Sequence, residues 1–158
     1  MIGAAPAVEY ESLSDFASML GKHLGYSGWH TLGQEQVDAF AAATGDHQWI
    51  HTDPVRAADG PYGGTIAHGY LVLSLVPILV QQIYRVSGLS MAVNYGSDKL
   101  RFPAPVRVGS RIRAGAELTA IDITEGRGRA TVRVTVTADG GDRPVCVVDT
   151  IAVMVAAD

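Results

Sequence analysis

Residues 45–70 read GDHQWIHTDPVRAADGPYGGTIAHGY, and how this stretch divides decides the fold. Its first part places Asp46 and His51 in one turn, between Gly45 and the pair Asp53–Pro54. Its last part, Gly63, Gly64 and Thr65, leads into the most apolar segment of the chain, residues 66–84. Apolar side chains fall on every face of that segment: Leu71, Val72, Leu73, Leu75, Val76, Ile78, Leu79 and Val80. A helix apolar all round has to be surrounded by protein. Pro77 lies inside it and removes one ladder bond, which predicts a local kink.

The second half of the chain supplies the surroundings. Residues 91–95 and 99–102 read as extended segments. In residues 111–121, Ile112, Ala114, Ala116 and Leu118 alternate onto one face, as do Val132, Val134 and Val136 in residues 130–137. Residues 145–155 form a near-continuous apolar strand, and glycine- and aspartate-rich turns at 126–128 and 139–142 separate these runs. Consecutive strands after a buried helix predict an α+β layout, an antiparallel β-sheet wrapped around a long central apolar helix.

Upstream, residues 1–8 read as a loose terminus. Ser12 or Ser14 caps a short helix carrying Leu13, Phe16, Ala17 and Leu20. Residues 29–32 read as a short strand or lead-in. Thr31 and Gln34 stand at capping-box spacing before a helix with Val37, Phe40, Ala41 and Thr44 on one face. Gly45 ends that helix, leaving Asp46 on irregular backbone. Asp53 and Pro54 open the next helix as cap and first residue.

At 158 residues the chain is long enough for one well-buried core, and it is expected to form a single domain over residues 1–158. Its net charge of -4, with both signs interspersed, argues against nucleic acid or an anionic membrane surface as partner. Cys146 is the one cysteine, which fits a reducing compartment. Residues 66–80 are too short to span a bilayer, and no signal peptide is evident at the N-terminus. The expectation is a cytoplasmic protein without membrane insertion.

The motifs of nucleophile elbows, phosphate-binding loops, zinc proteases and dinucleotide folds are missing from the sequence. What it carries instead is the carboxylate of Asp46 and the imidazole of His51. Together they can hold one water, one group withdrawing a proton while the other supplies one. The spacing by itself is more often a decorated helix end beside a satisfied histidine. Its position changes the balance, because the pair precedes the start of the buried helix at His68–Gly69. N–H groups of a first helical turn lack intrahelical partners and sit at the positive end of the dipole. They can stabilise charge on a carbonyl oxygen, and Gly69 has no Cβ to keep a ligand away, although close packing of helix on sheet explains a glycine equally well.

Asp53 is read as a cap. His47 and His51 have a metal-compatible spacing but no third ligand, so no metal is expected. His68 either lines the pocket or bonds locally in the first helical turn, the local bond being favoured, and Cys146 takes a place in the core. Tyr62, Asn94 and Tyr95 could face a ligand, though nothing in the sequence orients them. Lys99, Arg101, Arg107, Arg111 and Arg113 read as a solvated strand face or as phosphate contacts.

These residues resemble the signature of the MaoC-like dehydratases, the R-specific enoyl-CoA hydratases of the hot-dog fold. The signature runs A-x-x-[ST]-G-D-x-N-P-[LIV]-H-x-D-P and then I-x-H-G. Here it stands as Ala41 through Thr44, Gly45, Asp46, His47, Gln48, Trp49, Ile50, His51, Thr52, Asp53 and Pro54, followed by Ile66, Ala67, His68 and Gly69. The GDHQWIH variant is similar to that of mycobacterial 3-hydroxyacyl-thioester dehydratases. The resemblance implies syn addition of water to a trans-2-enoyl-CoA, giving the (R)-3-hydroxyacyl-CoA, and the reverse dehydration in fatty acid metabolism. It assigns water activation to Asp46 and His51 and carbonyl polarisation to the Gly69 N–H. It further implies no metal or redox cofactor, an acyl-CoA or acyl-carrier-protein thioester as substrate, and a homodimer joined edge to edge. Gln48 and Trp49 depart from the family's asparagine and proline, and Pro77 stands where some members carry a serine. A hot-dog acyl-CoA thioesterase and a noncatalytic thioester-binding or dimerisation subunit are the alternative readings.

Overall fold

The computed structural model describes residues 7–157, so the expected loose terminus lies largely outside them. Val8 already belongs to a strand, β1 (Val8–Tyr10). There follow α1 (Leu13–Ala17), β2 (His23–Tyr26), β3 (His30–Thr31), α2 (Gln34–Thr44), α3 (Trp49–Thr52), α4 (Pro54–Ala58) and α5 (Gly69–Val80). The remainder is strand: β4 (Tyr84–Val86), β5 (Leu89–Arg101), β6 (Arg111–Thr124), β7 (Arg127–Ala138) and β8 (Pro144–Ala156).

The main sheet runs β2-β6-β7-β8-β5, every pair antiparallel, and β3 also joins β6. β1 pairs in parallel with β4 beside it. The alternation in the sequence sets the inner face: Ile112, Ala114, Ala116 and Leu118 of β6, Val132, Val134 and Val136 of β7, and Cys146 and Val148 of β8 are all buried. α5 lies across β6, β7 and β8 and buries Leu71, Val72, Val76 and Leu79. The β6–β7 hairpin closes through Glu125 and Gly126 at φ 50 and 75, the left-handed pair that a two-residue turn requires. The expected turn at 126–128 is shorter than the sequence suggested, because Gly128 already belongs to β7.

α5 is shorter than the apolar segment. It begins at Gly69 because the backbone before it is committed to the sheet: Ile66 bridges Arg107, and the Ala67 N–H donates to Val106 O at 2.8 Å. It ends at Val80 because Gln82 and Ile83 turn back in i→i−3 bonds to Leu79 and Val80, after which Tyr84 starts β4. The helix runs on through Pro77, which sits on its exposed side. The sheet covers only one side of it within a protomer, and Tyr70 and Ile78 remain 66% and 51% exposed.

β5 is one strand where two extended segments were expected, because bulges between Asn94 and Gly96 and between Asp98 and Arg101 interrupt the alternation. Ser12 caps α1 by accepting from the Asp15 N–H at 3.1 Å, and Gly45 closes α2 at φ 80. The expected Thr31–Gln34 capping box does not form. Thr31 is in β3, Gly33 is the N-cap without a side-chain bond, and the Gln34 side chain instead bonds Asp38, His51 O and Thr65. Cys146 is core as expected, and burial pushes its thiol up to about 11.

On the outer face, Asp149 of β8 is buried under Arg133, which donates from Nε and Nη2 at 2.7 and 2.9 Å, with Lys99 Nζ at 3.6 Å. The Arg133 hydrogen bonds, opposed by burial and helped by the charges of Arg133 and Lys99, hold the Asp149 carboxyl below its usual range. A carboxyl depressed in the folded state contributes stability above its unfolded pKa of about 3.9 and loses it as pH falls through the lower folded value. Asp149→Asn should therefore cost about 2 kcal/mol in urea unfolding at pH 7. The gap to the parent should narrow as the pH is lowered below about 4.

Candidate active site

Asp46 follows directly on the left-handed Gly45 that ends α2. Its main-chain N–H lies 3.4 Å from Thr44 Oγ1, and its Oδ1 lies 3.4 Å from the Gln48 N–H, so the carboxylate stands exposed at the loop tip. His51 comes next, in a helical turn where irregular backbone was expected. Gln48 is the N-cap of α3 and Trp49 its first residue. The Trp49 ring packs against Gly60 and carries the Arg56 guanidinium 4.4 Å above it. These contacts hold the turn where relatives of the signature carry asparagine and proline. Asp53 caps α4 through the Arg56 N–H at 3.0 Å, as expected.

The His51 ring is 7% exposed and its Nδ1 lies 2.7 Å from Ile66 O. A carbonyl can only accept, so Nδ1 carries the proton and Nε2 keeps its lone pair. Ile66 in turn donates its N–H to Ile50 O at 3.0 Å, which locks α3 to the segment before α5.

Sequence reasoning favoured a local bond for the third member over a place in the pocket. His68 is the N-cap residue of α5, but it makes no side-chain cap bond. Its Nε2 instead reaches Asp46 O at 3.0 Å, and its ring stacks on that of His51, centroids 3.8 Å apart at 26°. One carboxylate oxygen of Asp46 and one ring nitrogen each of His51 and His68 lie within 4.8 Å of one another. The sequence signal was the I-x-H-G part of the signature, which holds His68 immediately before Gly69. His47 stays exposed and outside this cluster.

Three such groups have the donor set of a metal site, and the spacing of the Asp46 carboxylate and His51, within 4.8 Å, also suits one bridging water.

His51 and Gly69 line one cavity of 260 Å³ with Tyr62, Phe102, Val72 and Val145 among its walls. Gly69 is the first residue of α5, where the N–H has no intrahelical acceptor. A Cβ built on Gly69 would lie 2.9–3.1 Å from Phe102 ring carbons. Close packing therefore does explain this glycine, and the packed ring is itself a wall of the cavity. Asn94 faces two other cavities, between α5 and β5, in which Pro77 also takes part. Tyr95 lies under the Arg129 guanidinium at 4.7 Å. The basic residues considered for phosphate have partners within the chain: Lys99 in Asp149, Arg101 in Leu100 O, Arg107 in Gly63 O, Arg111 in Asp139, and Arg113 in the rings of Tyr26 and Trp29.

An antiparallel sheet curled over one side of a long apolar helix is the architecture of the hot-dog class of α+β proteins. The chain belongs to the MaoC-like family: the family described as MaoC like domain matches residues 15–140. It is 51% identical over 148 residues to 3-hydroxyacyl-thioester dehydratase Z of Mycobacterium tuberculosis, covering 93% of this chain and 98% of that one. It is 34% identical over 110 residues to the (R)-specific enoyl-CoA hydratase of Aeromonas caviae, covering 70% and 78%. The solved structure of the (R)-hydratase from A. caviae superposes with a TM-score of 0.69 at 27% identity, over 84% of this chain and 94% of that one.

Gly69→Ala should force the Phe102 ring aside and lower stability by about 1–3 kcal/mol. Adding Phe102→Leu to that variant should restore most of the loss, read as the midpoint of denaturant unfolding.

Proposed function

We propose that this chain is a hydro-lyase that adds water to a trans-2-enoyl thioester, giving the (R)-3-hydroxyacyl thioester, and catalyses the reverse dehydration. The observation that carries this reading is the pairing of Asp46 and His51 beside the cavity headed by Gly69. The family membership and the named activities of the two relatives support it.

The geometry suggests how the residues share the work. A water held between the Asp46 carboxylate and His51 Nε2 gives up a proton to this pair as its oxygen bonds to C3 of the enoyl group. The C2=C3 electrons move toward the thioester carbonyl, whose oxygen gains charge beside the Gly69 N–H at the positive end of α5. C2 then takes a proton from the same pair, which completes the addition of one water. Because both groups stand on one side of the substrate, hydroxyl and proton arrive on the same face. These steps are proton transfers and one C–O bond formation with no net oxidation or reduction, so they call for no redox cofactor and need no metal. The carrier is CoA or acyl carrier protein, and the cytoplasm is the setting this chemistry fits.

Asp46→Asn and His51→Gln should each lower kcat by about 10²–10⁴-fold, followed as loss of enoyl-thioester absorbance with crotonyl-CoA. Release of free thiol in place of water addition would instead point to a thioesterase. Wild-type turnover by both variants would remove the pair from the mechanism.

We also infer a homodimer joined along β5. This strand pairs with β8 on one side only, and all of residues 91–99 are exposed, including Met91, Val93 and Tyr95. The uncovered face of α5 lies on the same side as the cavities between α5 and β5. A free edge with apolar side chains is completed by a second copy of itself. Sedimentation of the parent should give twice the 16.7 kDa chain mass, and Val93→Lys should shift it toward the single chain.

A further inference from the structure

One buried titratable group near the site has no part in the chemistry above. His68 is 3% exposed, backed by the Phe40 ring of α2 at 5.0 Å and stacked on His51. Its Nε2 lies 3.0 Å from Asp46 O, and because that oxygen can only accept, Nε2 carries the proton. Nδ1 is then the bare nitrogen, buried with no hydrogen-bond partner among the described residues. An orphaned buried polar atom is costly, on the order of 1–3 kcal/mol. Packing alone therefore does not account for an imidazole: phenylalanine would fill the slot and leave no nitrogen unsatisfied. What phenylalanine lacks is the N–H that meets Asp46 O.

We propose that His68 is a positioning residue for the acid/base pair, a role that rests on the hydratase reading. It ties the main chain of Asp46 through its N–H and confines the His51 ring through its face, so that both groups meet at one water. Asp46 needs such a tie. Its other contacts are the two long ones of 3.4 Å to Thr44 and Gln48, and its carboxylate is open to solvent. His51 needs the face contact, since the single hydrogen bond from Nδ1 to Ile66 O leaves the ring free to swing about that axis. His68 is also the residue before Gly69, so one side chain links the start of α5 to both members of the pair.

The test separates the donor from the ring. His68→Phe keeps an aromatic face and loses the donor, and His68→Gln places an amide N–H near the original Nε2. With crotonyl-CoA, His68→Phe should lower kcat by about 10–100-fold, the scale of a small misplacement of reacting groups, with KM nearly unchanged. His68→Gln should recover a clear part of that kcat. If His68→Phe fails to fold by circular dichroism, His68→Ala takes its place in the comparison with His68→Gln. Wild-type kcat without the donor, a loss confined to KM, or a glutamine variant no better than the donorless one would each overturn the proposal. Asp46→Asn in the same assay keeps the two claims apart. If Asp46→Asn is inactive while His68→Phe is unimpaired, only the role of His68 fails; if the folded parent itself leaves crotonyl-CoA and longer enoyl thioesters unchanged, the hydratase reading itself fails.

Discussion

The site depends on one short extended segment, residues 65–68, held from both sides. On the sheet side, Val108 donates to Thr65 O and Ala67 to Val106 O, at 2.9 and 2.8 Å. On the other side, Ile66 exchanges hydrogen bonds with α3, its N–H going to Ile50 O and its carbonyl accepting from His51. Backbone groups buried this deeply have to be paired, so the segment has little freedom to move. His51, His68 and Gly69 inherit that rigidity, although they come from a short helical turn, a cap and a helix start.

Energetically, the fold is ordinary at its centre and unusual at its edge. The inner face of β6, β7 and β8 and one side of α5 form a continuous apolar core, with Phe16, Leu32, Leu79, Ile112 and Leu118 among its fully buried side chains. The opposite side of α5 and the whole middle of β5 have no such cover. Natural edge strands usually carry charge or are kept short to discourage pairing, whereas β5 is 13 residues long and presents Met91, Val93 and Tyr95. The fold thus leaves uncovered the region where two of its cavities open, between α5 and β5, and gathers its ionisable cluster at the N-terminal end of the helix, beside a third cavity.

Buried polar groups divide along the same line. Asp149, beneath Arg133 and Lys99, is satisfied on every side and serves the sheet. His68 has a partner at Nε2 and, among the described residues, none at Nδ1. Incomplete satisfaction next to an acid/base pair is where sequence preferences and packing yield to chemistry.

Much of the chain was legible without coordinates, because much of it is local. Alternation marked the inner residues of β6 and β7, Gly45 stopped α2, Asp53 and Pro54 opened α4, and the spacing from Asp46 to His51 fits one turn. Each of these follows from backbone preferences within a few residues. The start of α5 at Gly69 was legible; its early end at Val80, the single bulged strand β5 and the unformed cap at Thr31 were not, since the sequence pattern runs on past each of them. Nor was the partner of His68, which lies 22 residues away, or the neighbour of Gly69, the ring of Phe102. The sequence by itself determined which residues could do proton chemistry; only the tertiary structure decided which of them meet, because meeting depends on the sheet that holds residues 65–68 in place.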